Sequence, residues 1–249
     1  MSCSFQFKQF SVKQDAAAMK VGTDGVLLGA WVSLRGNKRM ALDVGTGTGL
    51  IALMLAQRSA SLSIVGIDID SAAAEEAAAN FAASPWADRL KALPVRLQDY
   101  VSEAVSHGVA NEFVHGVSGG ETPVARRFDL IVSNPPFFKA SLKAPEARRR
   151  TARHDDTLPP ADLIAAARRL LSPAGRLAVI YPPEEARAFV LEAEAAGLYL
   201  TRLTRVISVA GQPPKRHLLE FSRTAGMPRF DDLVIGSAEY RNLTGDFYL

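Results

Sequence analysis

The sequence predicts an α/β protein built on a mostly parallel sheet of seven strands whose last two form an antiparallel hairpin. Three observations carry this expectation. From residue 40 to residue 196, short apolar runs alternate with segments of helical period, the pattern of strands joined by crossover helices. The glycine-rich turn Gly45-Thr-Gly47-Thr-Gly49 follows the first run and opens a helix. After Gly197 the rhythm changes, because Leu198–Val209 and His217–Ser222 are strand-like runs with no helix between them. Strands joined by a short loop containing Gly and Pro pair antiparallel.

Residues 1–38 read as an N-terminal extension, and residues 39–249 as the main domain. The extension holds the strand-like Phe5-Gln-Phe-Lys-Gln-Phe-Ser-Val and a helix capped at Thr23 or Asp24 that runs toward Trp31. The five alternating strands are expected at Met40–Val44, Ser63–Asp68, Leu93–Leu97, Phe128–Ser133 and Arg176–Tyr181. Of the helices between them, Leu50–Arg58 is short and apolar, while Ser71–Ala83 opens on a natural N-cap with Glu75 and Glu76 early. Ala161–Leu171 carries a stripe of Leu163, Ile164, Ala167, Leu170 and Leu171. Pro183–Ala196 stops at Gly197, a natural helix-ending residue. Residues 103–127 lack helical period and read as a long loop.

Composition bounds the function. With 249 residues, 48% hydrophobic and 22% charged, the chain is an ordinary globular one, able to bury about 70–75% of its unfolded surface without staples. The single cysteine, Cys3, excludes an internal disulfide framework and a cysteine zinc cage. His107, His115, His154 and His217 show no metal-ligand spacing, and GxSxG, P-loop and HExxH motifs are absent, which argues against hydrolases, ATPases and a bound metal. No apolar run approaches a membrane span and Met1–Phe10 lacks a signal-peptide core, so a soluble cytoplasmic protein is expected. The net charge is only +3, yet 21 of the 29 basic residues are arginine. Arginine suits phosphate and base contacts, and it is also what a GC-rich genome encodes, so composition leaves both readings open.

Position is more informative. The glycines of Gly45, Gly47 and Gly49 let a backbone turn sharply at a helix N-terminus and approach a ligand closely. The spacing is GxGxG rather than the GxGxxG of dinucleotide binders, and Asp43 stands two residues before it. An acid there repels a pyrophosphate and suits a cationic ligand such as S-adenosylmethionine. Asp68 ends the next strand about 20 residues on, where a carboxylate bonds ribose hydroxyls. Asp99 follows the third expected strand, where it either accepts from an adenine amino group or caps the next helix.

Phe128–Ser133 then delivers Asn134-Pro135-Pro136-Phe137 to the carboxyl edge of the sheet, where ligands sit in such folds. The prolines stiffen the corner and hold Asn134 extended. The Asn134 side-chain oxygen and the Pro135 carbonyl form two acceptors for one NH₂ group. An amino group conjugated to a base is a poor nucleophile, and holding both its hydrogens on acceptors favours a pyramidal nitrogen with an available lone pair. Phe137 would stack on the base. Lys139, Lys143, Arg148, Arg149, Arg150 and Arg153 follow with one acid, Glu146, among them, a run suited to nucleic-acid phosphates. Lys215 and Arg216 in the late hairpin are candidates for the same face.

Asp43-Val-Gly-Thr-Gly-Thr-Gly with Asn134-Pro-Pro-Phe137 resembles the class I, Rossmann-like methyltransferases that act on exocyclic amines. Five β/α units ending in a hairpin is their organisation. Phe5-Gln-Phe-Lys-Gln-Phe, Lys20-Val-Gly22-Thr-Asp24-Gly-Val-Leu-Leu-Gly-Ala-Trp31, Ser84-Pro-Trp86, Arg216-His217-Leu-Leu and the ending Tyr240…Phe247-Tyr-Leu narrow it. Together they make the chain similar to the bacterial tRNA1(Val) adenine methyltransferases, over nearly its whole length. The resemblance implies S-adenosylmethionine as cofactor, tRNA as partner and methylation of adenine N6 beside the anticodon, and it leaves the oligomeric state open, with a monomer expected. It implies that Asp43, Gly45, Gly47, Gly49, Asp68 and Asp99 hold the cofactor, that the extension is a lid whose Lys20, Gly22, Thr23 and Asp24 close over it, and that Asn134, Pro135 and Phe137 hold the base. Phe137 stands where relatives often carry tyrosine, and loop 103–127 is expanded. Rival readings are the same chemistry on ribosomal guanine or a protein glutamine, which the amino-terminal signature disfavours. A non-catalytic RNA-binding module is disfavoured by the intact Asn134 and Asp68, and a dehydrogenase by the glycine spacing.

Overall fold

The computed structural model describes residues 3–17, 19–34, 36, 39–107, 127–136 and 158–248, the side chains of 105–107 excepted. A small antiparallel hairpin, β1 (Ser4–Gln6) and β2 (Ser11–Lys13), precedes α1 (Thr23–Trp31). Alternation follows: β3 (Met40–Val44), α2 (Leu50–Arg58), β4 (Ser63–Asp68), α3 (Ser71–Ala82), β5 (Leu90–Pro94) and α4 (Leu97–His107). Beyond it come β6 (Phe128–Ser133), α5 (Pro160–Leu170), β7 (Leu171–Tyr181), α6 (Pro183–Ala195), β8 (Tyr199–Ile207), β9 (Arg216–Ser222), β10 (Arg229–Val234) and α7 (Ala238–Thr244). The main sheet runs β10-β8-β9-β7-β6-β3-β4-β5, with β9 antiparallel to both of its neighbours and all other pairs parallel.

The inner strands β3, β4 and β6 are buried along nearly their whole length, as strands covered on both faces must be. One face packs under Phe7, Phe10 and Val12, α1, α2, and Phe81 of α3, with Phe247 closing the end. The other packs under Leu97, Tyr100, Val101 and Ala104 of α4 together with α5 and α6. Residues of the amino-terminal extension therefore share one core with α2. Prolines open α5 and α6, where a missing N–H costs nothing.

The sheet has eight strands, not seven. β10 was not expected because Arg229-Phe-Asp-Asp-Leu-Val buries only Leu233. It is an edge strand whose charges pair sideways, Asp231 with Arg202 and Asp232 with Arg205. β5 also sits three residues earlier than the apolar run suggests. Pro94 ends the strand, Val95 turns back to donate to Leu93, and Leu97 belongs to α4, where 97, 100, 101 and 104 form the buried stripe. The expected loop at 103–127 begins inside α4, which continues to His107, and residues 108–126 lie outside those described.

Candidate active site

Every parallel strand ends on one edge of the sheet, since Val44 lies beside both Ile67 and Ser133, and Ser133 beside Val179. A cleft of about 1060 Å³ opens along that edge. It is lined by Gly45, Thr46 and Gly47 of the glycine turn, Asp68, the start of α1 from Gly22 to Gly25, and Asn134.

The glycine turn is shaped for a close-lying ligand. Gly45 and Gly47 have φ of 69° and 54°, and a Cβ at either would meet nothing within 4 Å, so the missing side chains leave open space in the cleft. Asp68 holds the turn: Oδ2 accepts from the Gly47 amide at 2.8 Å and Oδ1 from the Asp70 amide at 3.0 Å. Burial raises the Asp68 carboxyl above the usual range, against these amide bonds. Asp70, two residues further on, caps α3 by accepting from the Ala72 amide at 2.9 Å.

Asp43 lies beneath this turn, not in the cleft. It is fully buried and does not line the cavity. Its Oδ2 accepts from the Thr46 hydroxyl at 2.8 Å, while Oδ1 has no hydrogen-bond partner. The structure thus places Asp43 as a support of the turn through Thr46 and outside the residues that line the cleft. Burial pushes the carboxyl from 3.8 up to about 7, opposed by the Thr46 hydroxyl and the Ala52 amide. An acid with a raised folded pKa holds its proton more tightly when folded, so it costs stability as pH climbs from 3.8 to about 7, and the cost then levels off. Asp43→Asn removes that cost. Thermal unfolding should show the variant melting above the parent at pH 8, with the gap shrinking steadily toward pH 4. A gap that stays constant with pH would remove this account.

Asp99 is likewise outside the cleft. Because β5 ends at Pro94, Asp99 falls on the exposed first turn of α4, and the residues carried to the cleft are Val95, Arg96, Leu97 and Gln98. Gln98 is held by Asp162 of α5 at 2.7 Å. Sequence reasoning missed these residues and also Ile69, a 43% exposed side chain in the cleft wall. The signal available for Ile69 was an apolar residue directly after the strand-ending Asp68.

The segment that leads to α1 is tethered to α3. The Glu76 carboxylate accepts from the Asp15, Ala16 and Ala17 amides at 2.5, 3.0 and 2.8 Å. Asn80, 2% exposed, accepts from the Lys13 amide and donates to the carbonyls of Lys13 and Thr48, each at 2.9 Å. One side chain thus joins the extension to the glycine turn. Gln14 accepts from Val21 at 2.8 Å, so Lys20, Gly22, Thr23 and Asp24 reach the cleft wall on a fixed lead. Asp24 pairs with Arg216 of β9. Lys215 is exposed beside it.

Asn134 lines the cleft at the end of β6, followed by buried Pro135. Its Oδ1 is buried with no hydrogen-bond partner. A buried unpaired acceptor costs ~1–3 kcal/mol, and an unmet acceptor on a residue of the cleft wall fits a ligand that brings a donor. Ser133 below it is fixed by its hydroxyl donating to Val44 at 2.8 Å. Phe137, Lys139, Lys143, Arg148, Arg149, Arg150 and Arg153 lie outside the described residues. Among those described, no group of three or more His, Cys, Asp or Glu could hold a metal, and no helix is long and apolar enough to cross a membrane.

The chain is similar to known proteins. A family model described as a methyltransferase domain matches residues 41–104, the span from β3 to α4. A protein of Bacteroides fragilis named tRNA1(Val) (adenine(37)-N6)-methyltransferase is 41% identical, covering 98% of this chain and 97% of its own. Proteins of the same name from Flavobacterium johnsoniae and Porphyromonas gingivalis are 43% and 44% identical over 98% of this chain, and 99% and 94% of theirs. Among solved structures, one described as a predicted O-methyltransferase from Agrobacterium tumefaciens superposes with a TM-score of 0.62 at 18% identity, covering 90% of this chain and 96% of that one. At that identity it speaks for a shared fold alone.

Proposed function

The chain belongs to the tRNA1(Val) (adenine(37)-N6)-methyltransferase family, and from that premise we propose that it methylates the exocyclic amine of the adenine next to the anticodon of valine tRNA, using S-adenosylmethionine. The observation that carries the chemistry is the unpartnered Asn134 Oδ1 in the wall of the cleft. The cleft also fits the cofactor. Open space beside Gly45 and Gly47 admits a ligand against the backbone, and Asp68 stands where a ribose would meet it. When bound, S-adenosylmethionine supplies a methyl group made electrophilic by its sulfonium.

The residues of the chain do the rest. Asn134 Oδ1 accepts one hydrogen of the adenine amino group and the Pro135 carbonyl accepts the other. The nitrogen is drawn toward a pyramidal form, its lone pair faces the cleft, and the positive charge that develops on it meets two fixed dipoles. Proton loss follows transfer, so no general base is needed beforehand. Phe137 stacks on the base. An anticodon-loop adenine is already unpaired and is cheap to present in this way. Such a substrate puts the work of the protein in the cytoplasm.

Incubation with labelled cofactor and total tRNA lacking the modification tests the reading. N6-methyladenosine beside the valine anticodon is the expected product, and label in guanosine or in protein would overturn it. The basic run from Lys139 to Arg153 and Lys215 supply phosphate contacts in this reading. Binding of tRNA should therefore weaken by about tenfold or more between 50 and 200 mM salt. A salt-insensitive affinity would sink the phosphate-contact role.

A further inference from the structure

We propose that Arg216 is a positioning residue for the cofactor cleft, acting through Asp24 to fix the first turn of α1, and not a phosphate contact. This rests on reading the cleft as the cofactor site. Arg216 Nε donates to Asp24 Oδ2 at 2.7 Å across 192 residues of sequence. Its Nη1 donates to the Lys215 carbonyl at 2.8 Å, so the guanidinium is gripped from two directions. Both side chains are mostly covered, at 31% and 24% exposure.

The geometry gives the pair leverage. Arg216 opens β9 and lies opposite Val206 of β8, with the Lys215 amide donating to the Val206 carbonyl at 2.8 Å. It therefore stands on the rigid end of the sheet, at the edge where His217 lies beside Tyr181. Asp24 stands on the element that needs holding. The N-cap of α1 is Gly22, which has no side chain to cap the helix, yet Gly22 to Gly25 all line the cleft. At the other end of α1, Arg58 donates to the carbonyls of Gly29 and Val32 at 2.7 and 2.8 Å. The Asp24–Arg216 pair is the corresponding grip at the cleft end. An arginine committed to a half-buried carboxylate in this way serves the wall of the cleft. Releasing it lets the turn drift, and a shift of about 1 Å in a binding wall is enough to matter.

The test uses the full chain and titrates S-adenosylhomocysteine by calorimetry, with tRNA binding measured separately without cofactor. Arg216→Ala should weaken S-adenosylhomocysteine by about tenfold and raise the cofactor KM to match. The kcat at saturating cofactor and the tRNA affinity should each stay within about twofold. Arg216→Lys, which keeps a donor, should recover part of the affinity, and the exchange Asp24→Arg with Arg216→Asp should recover more than either single change. Thermal unfolding identifies any variant that fails to fold, in which case Arg216→Lys decides. If Arg216→Ala leaves S-adenosylhomocysteine affinity unchanged, or weakens tRNA instead, Arg216 is not a positioning residue. If the parent protein itself does not bind S-adenosylhomocysteine, the reading of the cleft falls and takes this inference with it.

Discussion

Asn134→Ala is expected to lower kcat by roughly two to three orders of magnitude, the cost of deleting one preorganised dipole aimed at developing charge. The cofactor affinity should survive. Oδ1 has no hydrogen-bond partner among the described residues, so its removal breaks no hydrogen bond there. The corner itself is held by the Ser133 hydroxyl on Val44 and by two prolines, and Ala at 134 leaves all of these in place. Removing an acceptor that is buried and unmet should even raise the melting temperature slightly. A variant that is stabilised, binds S-adenosylhomocysteine normally and turns over a thousandth as fast is the signature of a group used only in the transition state. A fully active variant would exclude Asn134 from the chemistry.

The site was legible where one short segment carries both strand and turn. Phe128–Ser133 and Asn134 stand where the run of apolar residues put them, as do Met40–Val44 and the glycine turn. Legibility failed where depth or register decides. Asp43 and Asp68 look alike in sequence, yet Asp43 is wholly buried while Asp68 lines the cleft, because only the second lies at the outermost residue of its strand. Asp99 falls on α4 because β5 ends three residues earlier than expected, at Pro94, and Leu97 begins the helix. The abundance of arginine, which composition left open between two readings, is partly explained by the fold. Among the described residues, Arg58, Arg89, Arg168 and Arg223 donate to main-chain carbonyls near helix ends, where four carbonyls per helix lack internal partners. Arg202, Arg205, Arg216 and Arg229 pair with carboxylates. Much of the basic excess thus holds the fold together, and the run from Lys139 to Arg153 is where a nucleic-acid role must be sought.

Gly49→Ala should be the most damaging small substitution for stability. Gly49 caps α2 with φ of 80° and ψ of 11°, a left-handed conformation that costs an alanine about 1 kcal/mol. Sterics add to this. A Cβ there would lie 2.9 Å from Phe81 Cζ and closer still to Cε1. Phe81 is itself 2% exposed and packed within the core under α2, so its ring has little room to yield, and overpacking of this kind costs a further ~1–3 kcal/mol. Together these amount to about 3 kcal/mol, or a fall of roughly 10 °C in melting temperature for a chain of this size. Gly211→Ala separates the two causes. Gly211 has the same φ of 80°, but its Cβ would meet nothing within 4 Å, so that variant should lose only the backbone share. Phe81→Leu in the Gly49→Ala background should recover the steric share, leaving the double variant more stable than the two separate losses predict. Equal losses at Gly49 and Gly211 would mean that the contact with Phe81 relaxes freely. Because α2 begins at the turn that lines the cleft, the same strain should reach the cofactor: S-adenosylhomocysteine affinity should fall in Gly49→Ala and stay level in Gly211→Ala.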